Sequence, residues 1–558
     1  MTGSPALASP PRQRRDDEIG TPPPSPRTAG QARSLAEMVG RLAAHPANVF
    51  AYYEDGAVTR KAFPAVLEDV LAARRKLASW GLEPGMRAGI FATNSYAWIV
   101  HDLALILLGV TTVPFPDETL VEEIPALFDR FQVNLLLASG DRLPAYTGRQ
   151  PIALLDQDAA SAPRLRRYAQ PAGRQEAGPQ PPSIVFSSGS SGKLKALKTS
   201  DAGTMRVLEH FCGRYQFYAD DELLVFLPLH SYQQRLMVYG CIDHGVNLAL
   251  VRTDQAFKGL KDFAPTLCLA PPILFETVHK QFEDGLRAQP RHRRLAFAQL
   301  LRLAALAPPP LRRRILGRCY RPLRSSFGGR IRLMWTGMAP IKRSTLELFA
   351  AAQLPLVETY GLTESGPIAC NTPRENRLGS IGKPIVPGSV RLAADGEIIV
   401  ERDAFLTTGY EGSDRDEELS TYVAPGRIAT GDIGYFDADG FLYIKGRKKE
   451  AIITAEGNKI HPELVEGRLN RSPLVLQSVV LGNGLPHLAA VMVVRRPEAE
   501  RREAERWLAE VNGRLPHGIT VARLVLTAEE FTKANRLLTE NLKLNRRAIF
   551  RRYYEKLI

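Results

Sequence analysis

From about residue 35 onward, helically spaced apolar positions alternate with short apolar runs. Residues 63–80 place Val66, Leu67, Val70, Leu71 and Leu77 at helical spacing and stop before Gly81, which predicts a helix. Runs at 87–92, 133–138 and 223–227 read as buried strands. This cadence predicts an α/β fold. Residues 104–110 are apolar but follow His101 and Asp102. They fall short of the roughly 18 residues a membrane span needs, so they read as a buried helix. Residues 1–33 are rich in Pro, Ser, Gly and Arg and predict a disordered tail. The polar run GRKKE at 446–450 separates two β-rich stretches, and about 110 residues follow it. The expected division is therefore 34–446 as a large domain and 447–558 as a small one.

Composition narrows the class. A chain of 558 residues exceeds one ordinary domain, and 44% apolar with 24% charged residues suits a globular protein. Lys plus Arg number 73 against 59 Asp plus Glu, a net +14 that suits a polyanionic ligand, an anionic membrane surface or nucleic acid. Much of the excess sits at 287–332, which holds 13 arginines among Leu, Ala and Pro. That block reads as a solvated helical hairpin around Pro308 to Pro310, with peripheral contact to an anionic membrane as the sharper reading. Its arginines do not alternate with aromatics as stacking platforms require, so no nucleic-acid partner is expected. Five dispersed cysteines form no CxxC pair, which argues against a zinc ribbon or a disulfide framework and for a reducing cytoplasm. Arg12, Arg14 and Arg15 precede acids and prolines rather than an apolar core, so no secretory leader is expected.

Four segments carry chemistry. IVFSSGSSGKLK at 184–195 runs from a strand into small hydroxyl and glycine residues and then two lysines. Such a loop lets backbone N–H groups crowd around phosphate oxygens. It is not a Walker A loop, because only two residues separate Gly189 from Gly192. A flexible linker is the bland alternative. VETYGLTES at 357–365 offers Tyr360 for stacking, Thr363 as a hydroxyl and Glu364 as a magnesium ligand. In 429–449, residues 437–440 read as a hairpin turn, which places Asp432 and Arg447 on linked strands where they could face one ligand. Carboxylates commonly bind ribose hydroxyls. Near the C-terminus, Lys543 sits among apolar residues of LLTENLKLNRR at 537–547, where the alternative is an amphipathic helix with a snorkelling lysine.

In this order the four motifs resemble the adenylate-forming superfamily of acyl-CoA synthetases, peptide-synthetase adenylation domains and luciferases. The resemblance spans about residues 34–558, and the ending at 538–547 is most similar to the long-chain fatty acid–CoA ligase branch. It implies a large N-terminal domain of mixed β-sheets flanked by helices and a small mobile α+β domain. It implies ATP, Mg2+ and CoA, or a carrier-protein phosphopantetheine, as cofactors and acceptor, with a carboxylic acid as substrate. By matching positions, Ser187, Ser188, Gly189, Ser190, Ser191, Gly192 and Lys195 would hold phosphates. Ala339, Glu358, Thr359, Tyr360 and Gly361 would also bind ATP, with Tyr360 stacking on the adenine. Asp432 and Arg447 would grip the ribose, and Glu364 with Ser190 would ligate magnesium. Lys543, Glu364 and Thr363 would be catalytic, with Lys543 bridging the carboxylate and the α-phosphate. His230, Ser231, Trp335, Gly337 and Met338 would border the acyl site. Gly457 and Lys459 would line a thiol tunnel, with Lys449 as the hinge between two half-reactions.

The chain departs from that pattern at Leu194, usually Pro, at Ser231, usually His, at Met338, often Gly, and at Ser200, where His is common after Thr. The leading expectation is an ATP-dependent acyl-CoA synthetase for a medium- or long-chain fatty acid. The alternatives are an acyl- or aryl-AMP ligase loading an acyl carrier protein, and an inactive binding protein on the same fold.

Overall fold

The computed structural model describes residues 34–117, 119–143, 150–155, 163–168, 180–188, 194–412, 415–453, 459–483, 487–515, 519–538 and 544–557. The expected tail at 1–33 lies outside these residues.

Six parallel strands form the centre of a nine-stranded sheet, in the order Val49–Glu54, Asn247–Leu250, Glu222–Val225, Leu267–Ala270, Leu333–Thr336 and Leu356–Leu362. Antiparallel strands flank them: Ala57–Ala62 on one side, Gly366–Cys370 and then Lys383–Pro384 on the other. Successive side chains point to opposite faces. Leu223, Val225, Leu248 and Val357 enter one core, while Leu224, Ala249, Cys268 and Leu356 enter a second. Burial on both faces is why these strands read as continuous apolar runs rather than as an alternation.

The first core takes in helices Leu35–Ala44, Phe63–Ser79, Tyr96–Leu108 and Tyr232–His244 and reaches a second parallel sheet. That sheet runs Thr111–Pro114, Arg87–Phe91, Leu135–Ala138, Ile152–Leu154. Helix Tyr96–Leu108 contains the apolar run that was too short to span a membrane; Gly109 ends it at φ 66°, a left-handed cap that glycine adopts without a Cβ clash. Among the described residues no helix is long and apolar enough to cross a membrane. The arginine block forms two helices, Arg291–Leu306 and Pro309–Cys319, joined at Pro308 as the sequence suggested. All five cysteines are free thiols.

Two antiparallel sheets extend this body. One runs Val390–Leu392, Glu397–Glu401, Arg427–Phe436, Leu442–Arg447, and the other Thr407–Tyr410, Leu194–Thr199, Ile184–Ser188. Beyond residue 447 a smaller unit forms around strands Gln477–Leu481, Leu488–Val493 and Val521–Thr527. Helices Pro462–Leu469 and Pro497–Asn512 cover one face of it and Arg546–Leu557 the other. The large α/β body with a small α+β unit is the expected fold class. The two meet through polar contacts. Lys342 Nζ donates to the carbonyl of Leu476, Lys280 pairs with Glu530 at 3.2 Å and Arg495 with Asp284 at 3.3 Å.

Candidate active site

Ile184–Ser188 and Leu194–Thr199 pair antiparallel, with Ser187 opposite Lys195 and Ser188 opposite Leu194. The pairing brings the two ends of the small-residue loop together. The loop itself, with the expected phosphate and metal positions Gly189, Ser190, Ser191 and Gly192, lies outside the described residues, as do Gly457 and Lys543. Beneath the strand is a polar anchor: Ser183 Oγ donates to the Thr112 carbonyl at 2.8 Å and accepts from Arg235 Nη2 at 3.0 Å. Arg235 is fully buried and reaches Asp102 at 3.3 Å, and Tyr239 donates to the other Asp102 oxygen at 2.5 Å.

Thr407–Tyr410 adds to the same small sheet, with Tyr410 opposite Leu197. This pairing brings Lys195 to the expected magnesium ligand. Lys195 Nζ lies 5.2 Å from the centre of the Tyr410 ring, and Tyr410 donates its hydroxyl to Glu364 Oε1 at 2.9 Å. Thr407 Oγ1 donates to the Glu364 carbonyl at 2.9 Å, which fixes the turn that carries the carboxylate. Burial and the Glu364 charge push the Tyr410 phenol well above its ordinary pKa, so it remains a donor.

Asp432 and Arg447 are cross-strand partners in Arg427–Phe436 and Leu442–Arg447, and Arg447 Nε lies 2.8 Å from Asp432 Oδ1. Tyr360 donates to Asp432 Oδ2. The Asp432 carboxylate is almost wholly buried. Burial opposes the Arg447 charge, but Asp432, Tyr360, Glu450 and Glu364 together hold its pKa above the ordinary value. On the strand that carries Tyr360, Glu358 accepts from the Gly379 N–H at 3.0 Å, and burial pushes its carboxyl up to about 7.

Beside this cluster an apolar cavity opens. Helix Asp201–Cys212 contributes Phe211 and Cys212, and helix Tyr232–His244 contributes Leu236, Met237 and Gly240. Gly337, Met338, Thr359, Tyr360 and Gly361 also line it. A Cβ on Gly337 would approach the Thr359 carbonyl to 2.7 Å, so this close crossing requires glycine. Met338 takes φ 70° and projects its side chain into the lining. Ala339 continues the same turn, half-buried.

Of the expected acyl-site residues, Gly337 and Met338 line this cavity, whereas Trp335, His230 and Ser231 stand outside its wall. Trp335 is fully buried behind it, packed on Tyr215 at 5.2 Å and Phe211 at 5.9 Å between ring centres. His230 turns towards Asp117, with Nδ1 3.7 Å from Oδ1, and Ser231 immediately precedes helix Tyr232–His244. The sequence reading missed Tyr410 and the helix residues of the cavity. Tyr410 lies on a short strand whose partner is some 200 residues away, so spacing could not place it. Thr363 follows Leu362 in the turn next to Glu364, half-buried. Lys459 lies in the short strand Lys459–Ile460, opposite Ile453. Lys449 is exposed, directly after Lys448, which pairs with Asp395 and Glu397 at 2.7 Å each.

Comparison with known families decides what this arrangement belongs to. The family described as AMP-binding enzyme matches residues 39–404, and the AMP-binding enzyme C-terminal domain matches 449–548. The chain belongs to the AMP-binding enzyme family. Long-chain-fatty-acid–CoA ligase FadD15 of Mycobacterium tuberculosis is 26% identical over 95% of this chain and 97% of its own length. Long chain acyl-CoA synthetase 1 of Arabidopsis thaliana is 25% identical over 80% of this chain and 75% of its own. Among solved structures, the adenylation domain of a carboxylate reductase from Mycobacterium chelonae superposes with TM-score 0.71 at 18% identity, covering 94% of this chain and 90% of that one. O-succinylbenzoate coenzyme A synthetase of Bacillus subtilis, in complex with ATP and magnesium ion, gives TM-score 0.65 at 19% identity, covering 88% and 95%. At these identities the structures establish a shared fold.

Proposed function

We propose that this member of the AMP-binding enzyme family is an ATP-dependent acyl-CoA synthetase acting on a medium- or long-chain fatty acid. The observation that carries the proposal is one arrangement. Tyr360 both lines an apolar cavity and bonds the buried Asp432, which pairs with Arg447, and Glu364 of the chain Lys195–Tyr410–Glu364 lies four residues beyond Tyr360.

The donor set fits a magnesium nucleotide. Asp432 supplies carboxylate oxygens for ribose hydroxyls, and Arg447 pairs with that carboxylate and orients it. Tyr360 offers a ring for the base. Ser187 and Lys195 stand at the two ends of the small-residue loop expected to meet phosphates. Glu364, held at its side chain by Tyr410 and at its carbonyl by Thr407, is the carboxylate that would hold the metal. A bound magnesium ion supplies charge neutralisation on the departing pyrophosphate.

The reaction is attack of the substrate carboxylate on the α-phosphate, forming a mixed anhydride with AMP and releasing pyrophosphate, followed by attack of a thiol on the acyl carbon, which breaks the acyl–phosphate bond, forms a thioester and releases AMP. The cavity orients the acyl chain and excludes water from the anhydride. Lys543 is assigned to the first step, where a cation between two anions stabilises the charge that develops. The exposed Lys449 is the proposed hinge, residues 34–446 and 447–558 the proposed domains, and Gly457 with Lys459 the proposed approach of the thiol. The free thiols suit a reducing, cytoplasmic setting.

The test is carboxylate-dependent pyrophosphate release with hydroxylamine trapping over a panel of fatty and aromatic acids, followed by free CoA against a holo carrier protein as acceptor. Trapping with fatty acids and thioester formation on CoA support the assignment. Transfer to the carrier alone would redirect it to carrier loading, and no trapping across the panel would reject it.

A further inference from the structure

The outer face of the arginine-rich hairpin pairs two residue types that seldom share a solvated surface. Helix Arg291–Leu306 packs Phe297, Leu301 and Ala304 against the core. At about 100° per residue, Leu295 and Leu306 fall on the opposite side, with Leu303 next to them. These leucines are 57%, 87% and 58% exposed, and Leu311 on the second helix is 50% exposed. Sixteen large apolar side chains are exposed among the described residues, and five of them belong to these two helices. The apolar exposure is thus concentrated here rather than scattered. Around it stand Arg291 and Arg302 on the first helix and Arg314 and Arg318 on the second, all exposed. Residues 285–346 contain no Asp or Glu, so no acidic side chain of the segment itself offsets its 14 arginines.

We propose that this hairpin docks on an anionic lipid bilayer, with Leu295, Leu303, Leu306 and Leu311 entering the headgroup–acyl boundary and the surrounding arginines engaging lipid phosphates. An amphipathic element with a basic polar side and leucines on the other is what lies in such an interface. Charge decides against the other occupants. A second copy would set one acid-free arginine face against another, and like-charge apposition opposes association. Nucleic acid would use the arginines but leave the leucines wet, and the aromatics of the hairpin, Phe297 and Tyr320, face the core rather than a stacking partner.

The test is co-sedimentation of the full chain with phosphatidylcholine vesicles containing or lacking phosphatidylglycerol, at low and physiological salt. Binding is expected only with the anionic lipid and is expected to weaken as salt rises. A basic residue near an anionic surface is worth about fivefold in partitioning. Arg314→Glu with Arg318→Glu should therefore lose roughly 25-fold or more. Leu303→Asp with Leu306→Asp leaves every arginine in place and should lose about tenfold or more. Both pairs are exposed, so circular dichroism and pyrophosphate release should match the parent. Failure to bind anionic vesicles, or equal binding by the leucine variant, would overturn the proposal. So would binding to short duplex DNA or RNA in place of vesicles, or a dimer that the leucine variant dissolves.

Discussion

Glu358 is the residue whose charge the fold opposes most clearly beside the Asp432–Tyr360–Arg447 cluster. Its carboxyl lies at about 7 against an ordinary 4.5, because burial outweighs the help of the Gly379 N–H. Between those values the folded chain keeps a proton that the unfolded chain has released. Stability from this group therefore falls as pH rises from about 4.5 to 7 and stays low above that. Glu358→Gln keeps an acceptor for Gly379 and removes the charge. It should be more stable than the parent at pH 8 by roughly 1–3 kcal/mol, the side chain keeping some solvent contact, and the gain should vanish towards pH 4.5. Denaturant melts at both pH values check this; an equal or lower stability at pH 8 contradicts it. The Asp432–Arg447 pair was legible in the sequence because a tight turn at 437–440 makes the two residues cross-strand neighbours. For Trp335 the side on which it packs was not legible. It lies in an apolar strand buried on both faces, and such a strand carries no alternation to say which side a residue takes.

At the scale of elements, the buried Asp102–Arg235 pair joins helix Tyr96–Leu108, helix Tyr232–His244 and, through Ser183, the segment entering strand Ile184–Ser188. Removing one partner leaves a charge without compensation in the core. Asp102→Ala should cost about 3–5 kcal/mol in denaturant unfolding, and the double change Asp102→Leu with Arg235→Met should recover most of it. If the single and double variants are equally unstable, the pair does not act as a unit. Helix Phe63–Ser79 and strand Arg87–Phe91 were legible from spacing, since their periodicity is local. The strand Thr407–Tyr410 was not, because its value lies in lying next to Leu194–Thr199, a neighbour that no local pattern names. The arginine hairpin was legible as two helices about Pro308, although composition did not show that leucines as well as arginines face outward.

For the whole molecule, the proposed reaction separates into halves that different residues serve. Lys543→Ala should reduce acid-dependent pyrophosphate release at least about 100-fold while sparing thioester formation from supplied acyl-AMP. Lys449→Pro, which fixes φ at the proposed hinge, should show the reverse pattern. Equal loss of both half-reactions in either variant would remove the assigned role. The α/β class and the small C-terminal unit were legible in the alternation of the chain. The order of the nine-stranded sheet was not, since strands distant in sequence lie side by side in it. Lys448 has a mechanical consequence. Two carboxylates clamp it to the large body one residue before Lys449, so any swivel would begin at a sharply defined pivot. An arm seated that way would move between a few fixed poses instead of drifting, and the enzyme would present one tool to its substrate at a time.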